Sequence, residues 1–354
     1  MTLYIGVDFH PHQQTVSWCD TLSGEMRTIE LAHNVEKVRE FYASLGEPAI
    51  VGIEASTRAG WFEKVLYETG HKLLVGNPVL IRKRATSRHK NDRRDAELIL
   101  ELLVRGEFPA LWRRPAESNQ VLEILRLRHS LVRQRTQSYN RLQTLAHNAG
   151  LPKGRMKTAV FQKLIREIEM DEAGELARVH LFGMIENLNE RVSALDDWLK
   201  KKAAPDKQVQ LLLTQKGVGY LTALTTVHTL GDVSRFARVG KQVTAFAGFD
   251  SLEKSSANRV RFGRISKAGS PLLRFQLGQA AQIAARSDVY IKSFYKRLIK
   301  KKPKAVAKTA AARRLLVKLS IMLRDNITAH EFDRRRGSAV GMLDEARGPQ
   351  MAAV

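Results

Sequence analysis

LYIGVDF, residues 3–9, is a short apolar run that leads into a carboxylate, Asp8, and it reads as a buried strand. Polar breaks separate it from QQTVSWCD and EMRTIELA, which suit hairpin neighbours. Beyond them VEKVREFYASLG has helical spacing and stops at Gly46. AIVGIEAS, residues 49–56, is a second buried strand that again ends on an acid, Glu54. GWFEKVLYETG reads as a helix closed by Gly70, and HKLLVGNP as a further strand. An antiparallel-looking meander that passes into alternating helix and strand predicts an α/β sheet with helices on its faces. Asp8 and Glu54 then both lie at the carboxyl ends of strands, where open α/β sheets place their sites.

Residues 87–103, SRHKNDRRDAELILELL, set two further acids among cations. A helix is predicted from about Asn91 to Arg105, with Asp92 and Asp95 at i and i+3 on one face, so both can point to the same spot. Acids in a first turn favour the positive pole of a helix, so capping is one reading. The other is a metal site completed by Asp8 and Glu54, with Arg82, Lys83, Arg84, Arg88, Lys90, Arg93 and Arg94 drawing in a phosphate backbone.

Residues 116–150 contain no proline and keep apolar positions near helical spacing, and a second long helical pattern spans about 172–202. Together they predict an antiparallel helical arm, either a plain spacer or a dimerising element. After a linker at 203–207, LLLTQKGVGYLTALTTVHTLGD reads as helix, Gly-x-Gly turn, helix. SLEKSSANRVRFGRISKAGS reads as a polar hairpin or loop, and helix resumes at PLLRFQLGQAAQIAARS. An acid-free run beginning at Ile291 is broken at Pro303 into two basic helices. The expected division is 1–112, 113–204, 205–330 and a basic, flexible tail over 331–354.

The chain of 354 residues carries 59 Lys+Arg against 36 Asp+Glu, a formal charge of +23 with pI near 10.3. So lopsided a balance points to nucleic acid, whose neutralised phosphates release condensed counterions. Besides the cations already named, Arg126, Arg133, Arg259, Arg261, Arg264, Lys267, Lys300, Lys301 and Lys302 are candidates to hold it. A single cysteine, Cys19, excludes an intrachain disulfide and a cysteine-rich zinc site. The first residues enter a strand pattern without a signal-peptide signature, and no apolar run reaches the ~20 residues that span a bilayer. A cytoplasmic protein with no membrane partner is expected.

YIGVDFH, GIEAS, KNDRRDA and, downstream, FAGFDSLEKSSANRVRFGRISKAGSPLLR resemble the signature blocks of the DEDD transposases of insertion-sequence family one-ten, which include the Piv/MooV-type DNA invertases. The resemblance implies a RuvC/RNase H-like amino-terminal domain with a mixed sheet, a long coiled-coil-like arm and a mainly helical transposase domain. It implies that Asp8, Glu54, Asp92 and Asp95 bind Mg²⁺, with Mn²⁺ as an alternative. It also implies a serine nucleophile before the ISKAG block, which falls on Ser255; Ser256 stands where glycine is common in the family and is the alternative nucleophile. Ser266 is expected to hold the loop or contact phosphate. The implied activity is recombination of donor and target DNA through a phosphoserine, guided by a structured bridge RNA and carried out by a dimer or tetramer. Two other readings use the same residues: a hydrolytic Holliday-junction nuclease, which needs the acids but no serine, and a nucleic-acid-binding protein without catalysis.

Overall fold

Strands with a continuous buried centre and less buried ends build one five-stranded mixed sheet. The computed structural model describes residues 3–19, 26–55, 59–84, 91–253 and 262–335, and the chain forms two compact units, Met1–Arg113 and Arg114–Val354. In the first, β1 (Leu3–Phe9), β2 (Gln13–Cys19) and β3 (Met26–Ala32) form an antiparallel meander. Helix α1 (Val35–Ala43), β4 (Ala49–Glu54), α2 (Gly60–Glu68) and β5 (Lys72–Gly76) follow, and β1, β4 and β5 pair in parallel. The strand order is β3-β2-β1-β4-β5. A short helix α3 (Pro78–Arg84) and then α4 (Asp92–Val104) complete the unit. Sequence reading passes over α3, although Asn77 accepts from Val79 N–H at 3.0 Å and so caps it.

The two faces of the sheet differ. Ile5, Val7, Val51 and Ile53 point to one side and pack with Val38 and Tyr42 of α1 and Phe62, Val65 and Leu66 of α2. On the other side Gly6 and Gly52 are register partners, and α4 lies across them. A Cβ on Gly6 would stand 2.1 Å from the Ala96 carbonyl oxygen and 2.5 Å from the Leu100 nitrogen. A Cβ on Gly52 would press on Ile99 and Leu103 at 2.9 and 2.8 Å. The helix backbone therefore sits where side chains would otherwise be.

In the second unit, α5 (Ala116–Asn148) and α7 (Glu172–Ala203) pair antiparallel, with α6 (Ala159–Glu167) near their far end. Lys202 pairs with Glu117 at 3.6 Å, Arg128 holds Asp196 through two hydrogen bonds, and Arg135 donates to Asn189 at 2.8 Å, a descending ladder that sets the direction. Leu142 and Ala146 close the far end against Phe161, Ile165, Phe182 and Ile185. The near ends, through Val121, Leu125 and Leu199, enter a larger core built with α8 (Lys207–Leu213), α9 (Tyr220–Leu230), α10 (Val239–Phe246), α11 (Pro271–Ser287), α12 (Val289–Ile299) and α13 (Lys304–Asp325). A two-stranded ribbon, β6 (Ser251–Glu253) with β7 (Phe262–Ile265), carries the expected hairpin. Of the expected tail, residues 331–335 are helical and residues 336–354 lie outside the described residues. No helix among the described residues is long and apolar enough to cross a membrane.

One buried cation locks this core. Lys318, fully buried, donates to Asp288 at 3.0 Å and Asp333 at 2.8 Å, and its ammonium lies near the Phe332 ring. Asp288 also accepts from the Gln215 amide at 2.9 Å and from Ile291 N–H at 2.7 Å. Burial alone would raise the Asp288 pKa, but Gln215, the Ile291 amide and Lys318 outweigh it and hold it below the ordinary carboxylate value.

Gly6→Ala forces α4 off the sheet, at a cost of ~3 kcal/mol or more, and lowers Tm by about 10 °C or more. Gly60→Ala, where a Cβ meets nothing within 4 Å, leaves Tm unchanged or slightly higher in the same melting experiment. Lys318→Met strands the Asp288 charge and costs ~3–5 kcal/mol at pH 7 by urea denaturation. Because the fold depresses the Asp288 pKa, the stabilisation is complete above the unfolded carboxylate value of about 3.9 and is lost as pH falls through the lower folded value. The gap between Lys318→Met and wild type therefore narrows on acidification.

Candidate active site

The close approach of α4 to β1 puts a helix amino terminus over the carboxyl ends of two strands. Val7 is the register partner of Ile53, so Asp8 and Glu54, one residue further along, are side by side on the face that α4 covers. Asn91 caps α4 by accepting from Arg93 N–H at 3.2 Å, and Asp92 and Asp95 occupy the first turn. Capping and site-building are thus the work of different residues. Asn91 takes the cap, which leaves both aspartates free to face the sheet end.

A histidine that sequence reading did not single out joins them. His10 Nε2 lies 2.9 Å from Asp8 Oδ2 and 3.4 Å from Asp92 Oδ2. Ligand atoms from Asp8, His10 and Asp92 all lie within 4.8 Å of one another, the spacing of a metal site. The signal was present: His10 stands two residues after Asp8, and residues two apart along an extended chain share a face.

The charges act on one another. Burial raises the Asp8 pKa; the His10 charge and hydrogen bond oppose this, and the neighbouring Asp95 and Asp92 reinforce it. Burial by itself would lower the His10 pKa, but Asp8 and Asp92 outweigh it and the ring is more basic than usual. The Asp8 carboxylate, partly desolvated and beside two further acids, is short of positive charge. Oxygen donors in this arrangement fit a hard divalent cation, and the imidazole nitrogen adds a donor better suited to Mn²⁺ than to Mg²⁺. Glu54 meets Arg82 at 3.5 Å. Arg82, expected only as a phosphate contact, therefore borders the acid site itself.

The remaining candidates are placed as follows. The Arg84 guanidinium donates to the Glu107 carbonyl, and Arg93 pairs with Glu97 at 2.9 Å. Lys83 and Arg94 are exposed, as are Arg126 and Arg133 on α5, Arg264 on β7, and Lys300, Lys301 and Lys302 beyond α12. Lys267 is exposed with a left-handed φ of 57°. Ser266 hydrogen-bonds the Asp250 carboxylate and so holds its loop. Arg88, Lys90, Ser255, Ser256, Arg259 and Arg261 lie outside the described residues.

Comparison with known proteins agrees with this geometry. The model for the transposase IS116/IS110/IS902 family matches residues 209–296, and a DEDD transposase model of the IS110 type matches residues 5–148, which span all four acids. A "Probable family 20 transposase" of Pseudomonas aeruginosa is 30% identical over 257 residues, 71% of this chain and 75% of that one. The transposase for insertion sequence element IS1111A of Coxiella burnetii is 30% identical over 203 residues, 56% of each chain. That for IS1328 of Yersinia enterocolitica is 27% identical over 292 residues, 79% of this chain and 83% of its own. With the likeness covering both compact units, and with Asp8 and Asp92 meeting at one sheet end, the chain belongs to the IS116/IS110/IS902 family of insertion-sequence transposases.

Proposed function

We propose that this transposase cuts and rejoins DNA through a covalent phosphoserine, with Asp8, Glu54, Asp92 and Asp95 holding Mg²⁺ or Mn²⁺. The observation that carries the reading is the meeting of Asp8, His10 and Asp92 at the sheet end, close enough to Asp95 for its charge to act on Asp8. A bound divalent cation would supply neutralising charge to the phosphate under attack. Ser255, or Ser256 in its place, forms the Oγ–P bond as the bond from phosphorus to the 3′ oxygen breaks. The serine proton passes to a base or solvent, and the departing oxygen takes up a proton as a 3′-hydroxyl. The phosphoserine conserves the bond energy, so strands rejoin without ATP.

The remaining parts of the proposal concern partners. Residues 1–112 would catalyse, the helical pair within 113–204 would join subunits into a dimer or tetramer, and residues 205–330 would bring the serine. A charge of +23 supports binding of donor and target DNA together with a structured bridge RNA, with base pairing reading the sequence. The work would take place in the cytoplasm.

Asp8→Asn and Asp92→Asn should each lower strand cleavage by about 10³-fold or more and weaken Mn²⁺ binding in a calorimetric titration, with Tm unchanged or raised as like charges are removed. Full cleavage in either variant would sink the metal site. Ser255→Ala should abolish the protein–DNA adduct seen on a denaturing gel. An adduct surviving there but lost in Ser256→Ala moves the role by one residue; free 5′-phosphate ends with no adduct in wild type indicate hydrolysis instead. Sequencing RNA that purifies with the protein should return a discrete transcript from the element's flank; random cellular RNA would remove the guide.

A further inference from the structure

The carboxyl-terminal unit contains a cavity of about 700 Å³ that none of these roles uses. Arg114, Arg126, His129, Arg133 and Thr229 line it, together with the loop Ala268–Ser270, and no carboxylate is among its described lining residues. Arg126 and Arg133, both exposed, and the half-buried Arg114 converge there with no acid in the described lining, a concentration of positive charge that attracts anions. Burial lowers the Arg114 pKa and the charge of Arg126 lowers it further. Burial lowers that of His129 too, and Arg133 and Arg128 add to the effect. Arg128 already has Asp196 as its partner; the cavity is left short of negative charge.

Two independent features point the same way. Helix α11, 17 residues long, opens on the cavity through its cap Ser270 and its first residues Pro271 and Leu272, so its positive pole faces the space. The Thr229 hydroxyl is buried, the residue being only 2% exposed, and has no hydrogen-bond partner. Buried hydroxyls are almost always bonded, and leaving one unmade costs free energy. The wall is also held rigid. The Arg274 guanidinium donates to the carbonyls of Ala247 at 2.9 Å and Gly269 at 2.7 Å, and a Cβ on Gly269 would stand 2.1 Å from the Phe246 carbonyl oxygen.

We propose that this cavity seats a phosphodiester group of a bound nucleic-acid strand, with Arg126, Arg133 and the Thr229 hydroxyl on its oxygens. The volume exceeds what one inorganic phosphate needs and suits a nucleotide within a strand, with Phe246 and Leu272 as an apolar wall for the sugar. The inference rests on the nucleic-acid reading above and adds to it one specific grip.

The test is equilibrium binding of fluorescein-labelled 20-mers (~20 nucleotides, enough to cover several phosphate contacts) to the full chain across a KCl series. Single-stranded RNA, single-stranded DNA and duplex DNA of one sequence are the three probes. Arg126→Ala and Arg133→Ala should each reduce the slope of log K against log[salt] by about 1 and weaken binding about tenfold. Thr229→Val keeps the shape, so Tm should hold or rise while affinity falls about tenfold, since the hydroxyl has no bond to lose in the free protein. The probe whose affinity falls identifies the strand as RNA or DNA. Wild-type affinity and slope in all three variants would overturn the pocket while leaving the nucleic-acid reading intact; wild type that binds no probe overturns both. A lower Tm with unchanged affinity in Thr229→Val makes the hydroxyl structural and likewise overturns the site.

Discussion

Helix α4 touches the sheet backbone to backbone at Gly6, and its Ile99 and Leu103 side chains press onto the register partner Gly52. Its own side chains Ile99, Leu100 and Leu103 are buried there, so the helix can neither slide nor lift without exposing them. A rigid seat of this kind is what a carboxylate site requires. Like charges repel, and only elements whose packing fixes their spacing can hold several of them together against that repulsion. Asp92 and Asp95 ride on the first turn of the seated helix, and Asp8 and Glu54 end the strands beneath it.

Electrostatics divides the molecule into sites of opposite need. At the sheet end carboxylates crowd, burial and neighbouring acids raise the Asp8 pKa, and among the described residues His10 and Arg82 meet them with positive charge. In the cavity beside α11 arginines crowd, and their charge adds to the burial that lowers the Arg114 and His129 pKa values. A cation relieves the first and an anion the second. Both are partners that a transposase must handle, since a phosphodiester carries the negative charge and a divalent ion offsets it during chemistry. The buried Lys318–Asp288 pair is a third case, in which the two charges satisfy each other and nothing remains to bind a ligand.

Much of the sheet was legible because burial leaves a pattern. Short apolar runs located the strands, carboxylates at Asp8 and Glu54 located their ends, and Asn91 with an apolar-periodic run located α4. Other features left weaker traces. Helix α3 is seven residues long, too short for periodicity to stand out. His10 carried a period-two relation to Asp8 that matters only once the strand is known to end in a site. Ser266 offered two readings until Asp250 was found beside it.

The sequence by itself determined the acids, the cationic excess and the elements that carry them, because composition and local period are properties of neighbouring residues. Only the tertiary structure decided that Gly6 and Gly52 would bring α4 onto β1, that His10 would stand between Asp8 and Asp92, and that Arg82 would reach Glu54. It alone decided that Arg114, Arg126 and Arg133 would face one cavity with Thr229, more than ninety residues further along. Such contacts join residues far apart in the chain, and their energies arise from packing and from charges brought together through space, neither of which a linear pattern encodes.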